Sequence, residues 1–218
     1  MMYGIQQGWQ MEIVMSRYSV SHSEGVYARG SDDLVLHNKL GITTAEEMDG
    51  AELVLLEKLY QTVFEERFPF GDISFSMIRN WHRIWLGNIY EWAGQPRSVN
   101  ISKGGFMFAP AAQLPKLVSS FEKKYLKRYT PCDGMNAASL AEAIAVVHVE
   151  LILIHPFREG NGRLARLLAD VMAVQGGRKP LNYQSWEHNR AHYISAIHAG
   201  MVMNYSPMTH WVTKALED

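Results

Sequence analysis

Cysteine is almost missing from this chain: Cys132 stands alone among 218 residues. A lone thiol forms no internal disulfide and builds no cysteine-based zinc site, so the fold must hold by packing, as suits a reducing, cytoplasmic setting. A surplus of charge is missing too, since 21 Lys and Arg face 22 Asp and Glu, a net charge of −1. No global basic field draws the chain to nucleic acid or anionic lipid, and direct nucleic-acid binding is not expected. The N-terminus lacks the basic-then-apolar order of a leader, and no run reads as the roughly 18 apolar residues of a membrane span. Repeats, low-complexity tracts and linkers rich enough to divide the chain are absent as well. With 47% hydrophobic residues, the length suits a single domain with a sizeable core.

What is present is one dense stretch, His155-Pro156-Phe157-Arg158-Glu159-Gly160-Asn161-Gly162-Arg163, running on through Leu164 and Ala165 to Arg166. Two glycines flank an asparagine where a helical pattern begins, so backbone N–H groups can turn toward an anion at the positive end of that helix. Arg163 and Arg166 lie three apart and share a face, while Leu164, Leu167, Leu168 and Val171 form the opposite, buried stripe. Two guanidinium forks beside loop amides suit a di- or triphosphate tail. Glu159 is the only acid among these donors, and a carboxylate beside phosphate oxygens is how Mg²⁺ is commonly held. His155 ends a long apolar run, where an imidazole at the rim of an anion site can take a proton from an incoming hydroxyl.

The stretch resembles the signature of the Fic family, His-Pro-Phe-x-(Asp/Glu)-Gly-Asn-Gly-Arg-x-x-Arg, at every specified position. The resemblance implies an all-α helical bundle with one small β-hairpin flap. It also implies transfer of AMP from ATP to a Ser, Thr or Tyr hydroxyl of a target protein, with release of pyrophosphate. On that carry-over His155 is the general base and Glu159 the Mg²⁺ ligand. Gly160, Asn161 and Gly162 cradle the phosphates, Asn161 steadies charge at the α-phosphorus, Arg163 and Arg166 hold the β- and γ-phosphates, and Phe157 packs inward. The related Doc kinases carry Lys at the position of Gly162 and transfer the γ-phosphate; glycine there favours adenylylation. The alternatives are a Fic-fold enzyme that uses GTP or UTP or transfers phosphate, and a degenerate Fic domain that only binds.

Residues 1–30 read as an arm lying on the domain, and residues 31–218 as the Fic domain. A turn at Gly30-Ser31-Asp32-Asp33 leads into an expected helical segment through Asn38. Thr43 or Thr44 caps a core helix carrying Leu53, Leu56, Leu59, Tyr60 and Val63, and Ser74 opens a helix from Phe75 to Tyr90. Arg97 to Pro110 alternates around Lys-Gly-Gly, which predicts a hairpin whose glycines allow positive φ. Asn-Ile-Ser-Lys-Gly-Gly-Phe is similar to the Fic flap, so Ser102, Lys103, Gly104 and Gly105 are expected to dock an extended target by strand pairing. Leu114 to Tyr129 is amphipathic, with a basic end expected to be solvated, and Asn136 or Ser139 starts a helix to Ile154 in which His148 is buried. Gly176 and Gly177 end the arginine-bearing helix. A helix from Glu187 to His198 would bring His192 and Tyr193 to the adenine or ribose, and Ser206-Pro207 opens the last helix.

Many Fic proteins carry an inhibitory helix, (Ser/Thr)-x-x-x-Glu-(Gly/Asn), whose Glu pairs with the second signature arginine. In the nearest approach, Ser19-Val20-Ser21-His22-Ser23-Glu24-Gly25, Ser19 lies five before Glu24 and Val20 occupies the required position. A built-in brake is therefore not expected. The chain would act alone or be restrained, as a toxin, by a small separate antitoxin whose Glu pairs with Arg166, with a slipped brake at Glu24 as the alternative. The resemblance places the protein in the bacterial cytoplasm or, if exported, in a host cell.

Overall fold

The computed structural model describes residues 19–20 and 26–217. The rest of the expected N-terminal arm, Glu24 included, lies outside the described residues. Among those described, the bundle comprises α1 (Ala45–Gln61), α2 (Phe75–Leu86), α3 (Leu114–Phe121), α4 (Lys127–Tyr129), α5 (Ala137–Ile154), α6 (Asn161–Gln175), α7 (Gln184–His188), α8 (Arg190–Ala199) and α9 (Ser206–Glu217). Three short strands, β1 (Ser19–Val20), β2 (Ile101–Lys103) and β3 (Phe106–Met107), form one small sheet.

The bundle is organised around α5. Asn136 caps it by accepting the Ser139 N–H at 2.9 Å, and the run from Leu140 to Ile154 is apolar on nearly every side. A helix without a polar face must be wrapped, and α5 packs against α3, α6, α8 and α9. This corrects the expectation about hydrophobic runs: by length and composition α5 is sufficient to cross a membrane, yet 67% of it is buried inside the fold. Its apolarity is accounted for by its central place.

The arginine-bearing helix α6 also departs from the expected single stripe. Leu164 through Ala173 are all buried, Arg166 and Asp170 with them, because α6 lies between α5 and α2. Its polar side chains therefore face protein partners. Asp170 receives the Leu181 N–H at 2.9 Å and the Tyr60 hydroxyl at 2.9 Å.

Four expected boundaries move. Residues 32–38 are not helical: Tyr27 and Leu36 bridge antiparallel, the Ala28 N–H reaches the Val35 carbonyl, and Asp32 and Asp33 take left-handed φ values of 49° and 59°. Short polar side chains tolerate that conformation, so the expected turn forms, but the chain returns extended beside Tyr27 and Ala28 where a helix was predicted. Helix α2 ends at Leu86, since the N–H groups of both Ile89 and Tyr90 fold back on the Leu86 carbonyl. The predicted helix at Glu187 starts earlier and breaks at Asn189 (φ −116°, ψ 40°) into α7 and α8. Between α3 and α4 the helix widens into a π turn over Glu122–Leu126, with Lys123, Lys124, Lys127 and Arg128 exposed as expected. Cys132, just beyond, is fully buried with its thiol 3.1 Å from the Tyr129 carbonyl.

The hairpin forms as predicted. Gly104 and Gly105 turn at φ 56° and 80°, which ordinary residues resist, and set the register Ser102↔Met107 and Lys103↔Phe106. The third strand was not foreseen: β1 pairs with the outer edge of β2, antiparallel, at Ser19↔Ser102 and Val20↔Ile101.

Candidate active site

Helix α5 stops at His155, whose left-handed backbone (φ 49°, ψ 61°) closes its C-terminus while Pro156 prevents continuation. That conformation costs a non-glycine residue on the order of 1 kcal/mol. In return the imidazole is aimed and locked. Nδ1 lies 2.8 Å from the Ile152 carbonyl, and a carbonyl only accepts, so Nδ1 carries the hydrogen and Nε2 keeps its lone pair. Phe108 stacks on the ring with centroids 3.7 Å apart. Burial pushes the imidazole down to about 3, helped by the positive charges of Lys103 and Arg97. At neutral pH His155 is a neutral base whose lone pair sits on Nε2.

The loop beyond it is closed by its own asparagine. Asn161 Oδ1 accepts the Phe157 N–H at 2.9 Å, and Asn161 Nδ2 donates to the Phe157 carbonyl at 2.8 Å. The side chain expected to steady charge at phosphorus is thus occupied in shaping the loop. Gly160 adopts φ 79°, and a Cβ there would stand 2.6 Å from the Trp85 ring. No side chain caps α6, so the N–H groups of its first turn, with no intrahelical acceptor, form the anion-binding end that the glycines predict.

His82 buttresses the loop from α2. Its Nδ1 accepts the Gly94 N–H at 2.7 Å, which leaves Nε2 to donate to the Glu159 carbonyl at 3.1 Å. The ring stacks on Phe157 at 4.1 Å and 12°. Burial lowers this histidine to about 4, keeping it neutral.

Both signature arginines carry a carboxylate from their own chain. Arg163 meets Glu52 Oε2 at 2.7 Å and lies over the Trp85 ring at 4.5 Å. Glu52, 2% exposed, takes the Tyr90 hydroxyl on its other oxygen at 2.7 Å. Arg166 meets Glu187 Oε1 at 3.2 Å and lies 4.9 Å over Tyr183. The Glu159 carboxylate accepts the Gly160 N–H at 2.9 Å and approaches Arg163 at 3.8 Å.

The flap joins this arrangement through Arg97. Its Nε donates to the His155 carbonyl at 2.7 Å, Nη1 to Val99 at 2.6 Å and Nη2 to Ala109 at 2.6 Å, while its N–H reaches the Pro156 carbonyl at 2.8 Å. One buried guanidinium thereby ties both feet of the hairpin to the end of α5. Phe106 adds a second anchor by stacking on His198 at 4.5 Å.

Residues 72–173, which span α2, the hairpin, α5, the loop and most of α6, match the Fic/DOC family. A probable protein adenylyltransferase, y4lH of Sinorhizobium fredii, is 30% identical over 143 residues, 66% of this chain and 72% of that protein. The chain belongs to the Fic/DOC family. VbhT of Bartonella schoenbuchensis, a protein adenylyltransferase, is 30% identical over 149 residues, but there the chain spans only 30% of the relative's length. Among solved structures, the Fic domain of the Bartonella effector Bep8 superposes with a TM-score of 0.72 at 19% identity, covering 85% of this chain and 91% of that one. BepC of Bartonella tribocorum, solved with bound AMPPNP, gives 0.70 at 21% identity over 87% and 94%. The fold is the all-α Fic fold.

Within the Fic loop, His155, Glu159, Gly160, Asn161, Gly162, Arg163 and Arg166 come together on consecutive turns. Ser102 and Lys103 are half-buried on the flap, with Gly104 and Gly105 exposed at its tip. The proposed adenine wall divides: Tyr193 is half-buried, with its hydroxyl 2.8 Å from His148 Nε2 and its ring stacked on Trp186 at 5.0 Å. His192 is exposed, and among the described residues its ring meets no other aromatic. Sequence reasoning missed Arg97, His82, Glu52 and Glu187. It also passed over Arg158, the unspecified position of the signature, which is 5% exposed with Nε, Nη1 and Nη2 all lacking a hydrogen-bond partner among the described residues. For a metal, the described residues offer no group of three ligating side chains. Within the loop the carboxylate is that of Glu159, on the Gly160 N–H, a donor that fits Mg²⁺, an ion usually bound through one or two carboxylates with substrate phosphates and water.

Proposed function

We propose that this chain is a protein adenylyltransferase, moving AMP from ATP to a hydroxyl of a target protein and releasing pyrophosphate. One observation carries the reading: His155, buried and held neutral with Nδ1 on the Ile152 carbonyl, ends α5 six residues ahead of the N-terminus of α6, whose first-turn N–H groups no side chain caps and which suits a phosphate chain. The names of the relatives support the same chemistry.

In this mechanism Nε2 takes the proton as the hydroxyl attacks the α-phosphorus. The N–H groups at the start of α6 hold the phosphate oxygens, and Arg163 and Arg166 hold the departing pyrophosphate. Asn161 keeps the loop in shape and His82 fixes its Glu159 end. Glu159 would hold Mg²⁺, which when bound neutralises phosphate charge. Gly162 brings no side chain to the position where the Doc kinases carry Lys, in keeping with adenylylation rather than phosphate transfer. The flap would present the target as an added strand. Phosphate reaches Arg166 only by displacing Glu187, and a separate inhibitory protein whose glutamate seeks Arg166 would meet the same competitor.

Incubation of the chain with labelled ATP, Mg²⁺ and cell lysate, followed by mass spectrometry, tests the reading. AMP on a protein hydroxyl is expected, with transfer lost in His155→Ala while nucleotide binding persists. Equal transfer by His155→Ala ends the assignment, and a phosphate rather than AMP adduct replaces adenylylation with kinase chemistry.

A further inference from the structure

Arg166 is enclosed by side chains that the proposed reaction leaves unused. Its own side chain is 7% exposed, and its guanidinium carbon lies 4.9 Å over the Tyr183 ring. The Tyr183 hydroxyl reaches back to the same residue, 3.0 Å from the Arg166 carbonyl and 2.8 Å from Asp170 Oδ1. One tyrosine therefore spans the arginine from its backbone root to its charged tip.

The tyrosine is itself held. Asp170, one turn beyond Arg166 on α6, accepts the Tyr60 hydroxyl from α1 and the N–H of Leu181, two residues ahead of Tyr183, so a single carboxylate joins three segments. Burial raises the Tyr183 phenol well above its ordinary value, which keeps it a donor. Trp186 packs against the Tyr183 ring at 78° with centroids 4.9 Å apart, and its indole N–H is anchored on the Trp211 carbonyl at 3.2 Å. The ring is thus fixed from sides other than the one the arginine uses.

The N–H groups of a guanidinium lie in its plane, while its faces suit an aromatic ring. Glu187 takes an in-plane donor, Arg166 Nη1, at 3.2 Å, and a phosphate oxygen competes for donors of that kind. Tyr183 takes a face. The two sorts of contact do not exclude one another, so the ring contact outlasts the exchange of carboxylate for phosphate.

We propose that Tyr183 is a positioning residue for the reaction: its ring keeps the Arg166 guanidinium in place while Glu187 gives way to the polyphosphate tail of ATP. The proposal rests on the adenylyltransferase reading, in which Arg166 holds the β- and γ-phosphates, and adds the residue that sets that grip. Tyr183 acts through Arg166 and touches no reacting atom. Nucleotide affinity then follows the negative charge on the ring face rather than the size of the ring.

Tyr183→Phe and replacement of Tyr183 by pentafluorophenylalanine test this in the full-length chain, because the two rings are close in shape and opposite in the charge of their faces. Calorimetric titration with Mg²⁺ and the α,β-methylene analogue of ATP, which cannot transfer AMP, gives the affinities. Phenylalanine should bind the analogue within about twofold of the parent, and the fluorinated ring about tenfold more weakly than phenylalanine. AMP, which lacks the β- and γ-phosphates, should bind the two ring variants alike. In an Arg166→Gln background the difference between the rings should vanish for the analogue as well. Equal affinity of the two rings for the analogue while Arg166→Gln weakens it sinks this proposal alone. So does an equal loss for AMP, or a difference that persists in Arg166→Gln. Unchanged affinity in Arg166→Gln itself overturns the assignment of Arg166 to the phosphates, and this proposal with it.

Discussion

On the His155 side of the Fic loop the anchors end on backbone groups: Arg97 on the His155, Val99 and Ala109 carbonyls, His82 on that of Glu159, Asn161 on Phe157. On the arginine side the anchors are carboxylates, Glu52 for Arg163 and Glu187 for Arg166. A phosphate cannot displace a carbonyl contact that holds a loop, but it competes directly with a carboxylate for a guanidinium. The first side is set before substrate arrives; the second exchanges partners when it does. Arg163 and Arg166 differ again, because Glu52 is buried and doubly bonded whereas Glu187 is half-buried.

The comparison breaks first at Arg97. Arg97→Ala strands the His155, Val99, Ala109 and Ile154 carbonyls and unties the flap from α5, and should cost about 4 kcal/mol of stability with near-complete loss of AMP transfer. Denaturant melts and a transfer assay measure both, and a stable, active variant would place the loop's rigidity elsewhere. Glu52→Gln leaves Arg163 without its buried counter-charge and should destabilise by about 3 kcal/mol, read by thermal melting. Glu187→Gln should do the opposite for function: with Arg166 released, ATP binds about tenfold tighter, near 1.4 kcal/mol, at little cost in stability. Calorimetric titration reads it, and weaker binding would make Glu187 a support of the site rather than a competitor.

The smallest effect concerns pH. His82 and His155 are held below the ordinary value of 6.5, at about 4 and about 3. The unfolded chain therefore takes up protons first, and their stabilising contribution is present above 6.5 and lost as pH falls through 6.5 toward 4 and 3. Asp170, raised by burial to about 7, works in the other direction, losing stability as pH rises from 3.8 to 7. The clean measurement is a difference: between pH 7.5 and 5.5, His82→Gln should lose about 1 kcal/mol less stability than the parent.

What could be read from the chain itself was local. The loop, the caps at Thr44, Ser74 and Asn136, and the glycine turn of the hairpin each depend on a few neighbouring residues. The partners of the site were not legible because they are far away in sequence: Glu52 lies 111 residues from Arg163, His82 77 from Glu159 and Arg97 58 from His155. Within α1 the apolar period pointed to core, and Glu52 sits beside that stripe with nothing local to mark it as an arginine's partner. The break at Asn189 and the extended return from Leu34 to Asn38 escaped notice because pairing with distant or upstream segments, such as Tyr27 with Leu36, outweighed weak local preference there.

Cys132 has a practical use that follows from its burial, which pushes its thiol up to about 12. A sulfhydryl so withdrawn stays protonated and closed to alkylating dyes at neutral pH. A cysteine placed at Met107, 65% exposed on β3, would consequently take a fluorophore alone, with the parent thiol left in place, and report in real time when the sheet beside the base gains or sheds its neighbouring strand.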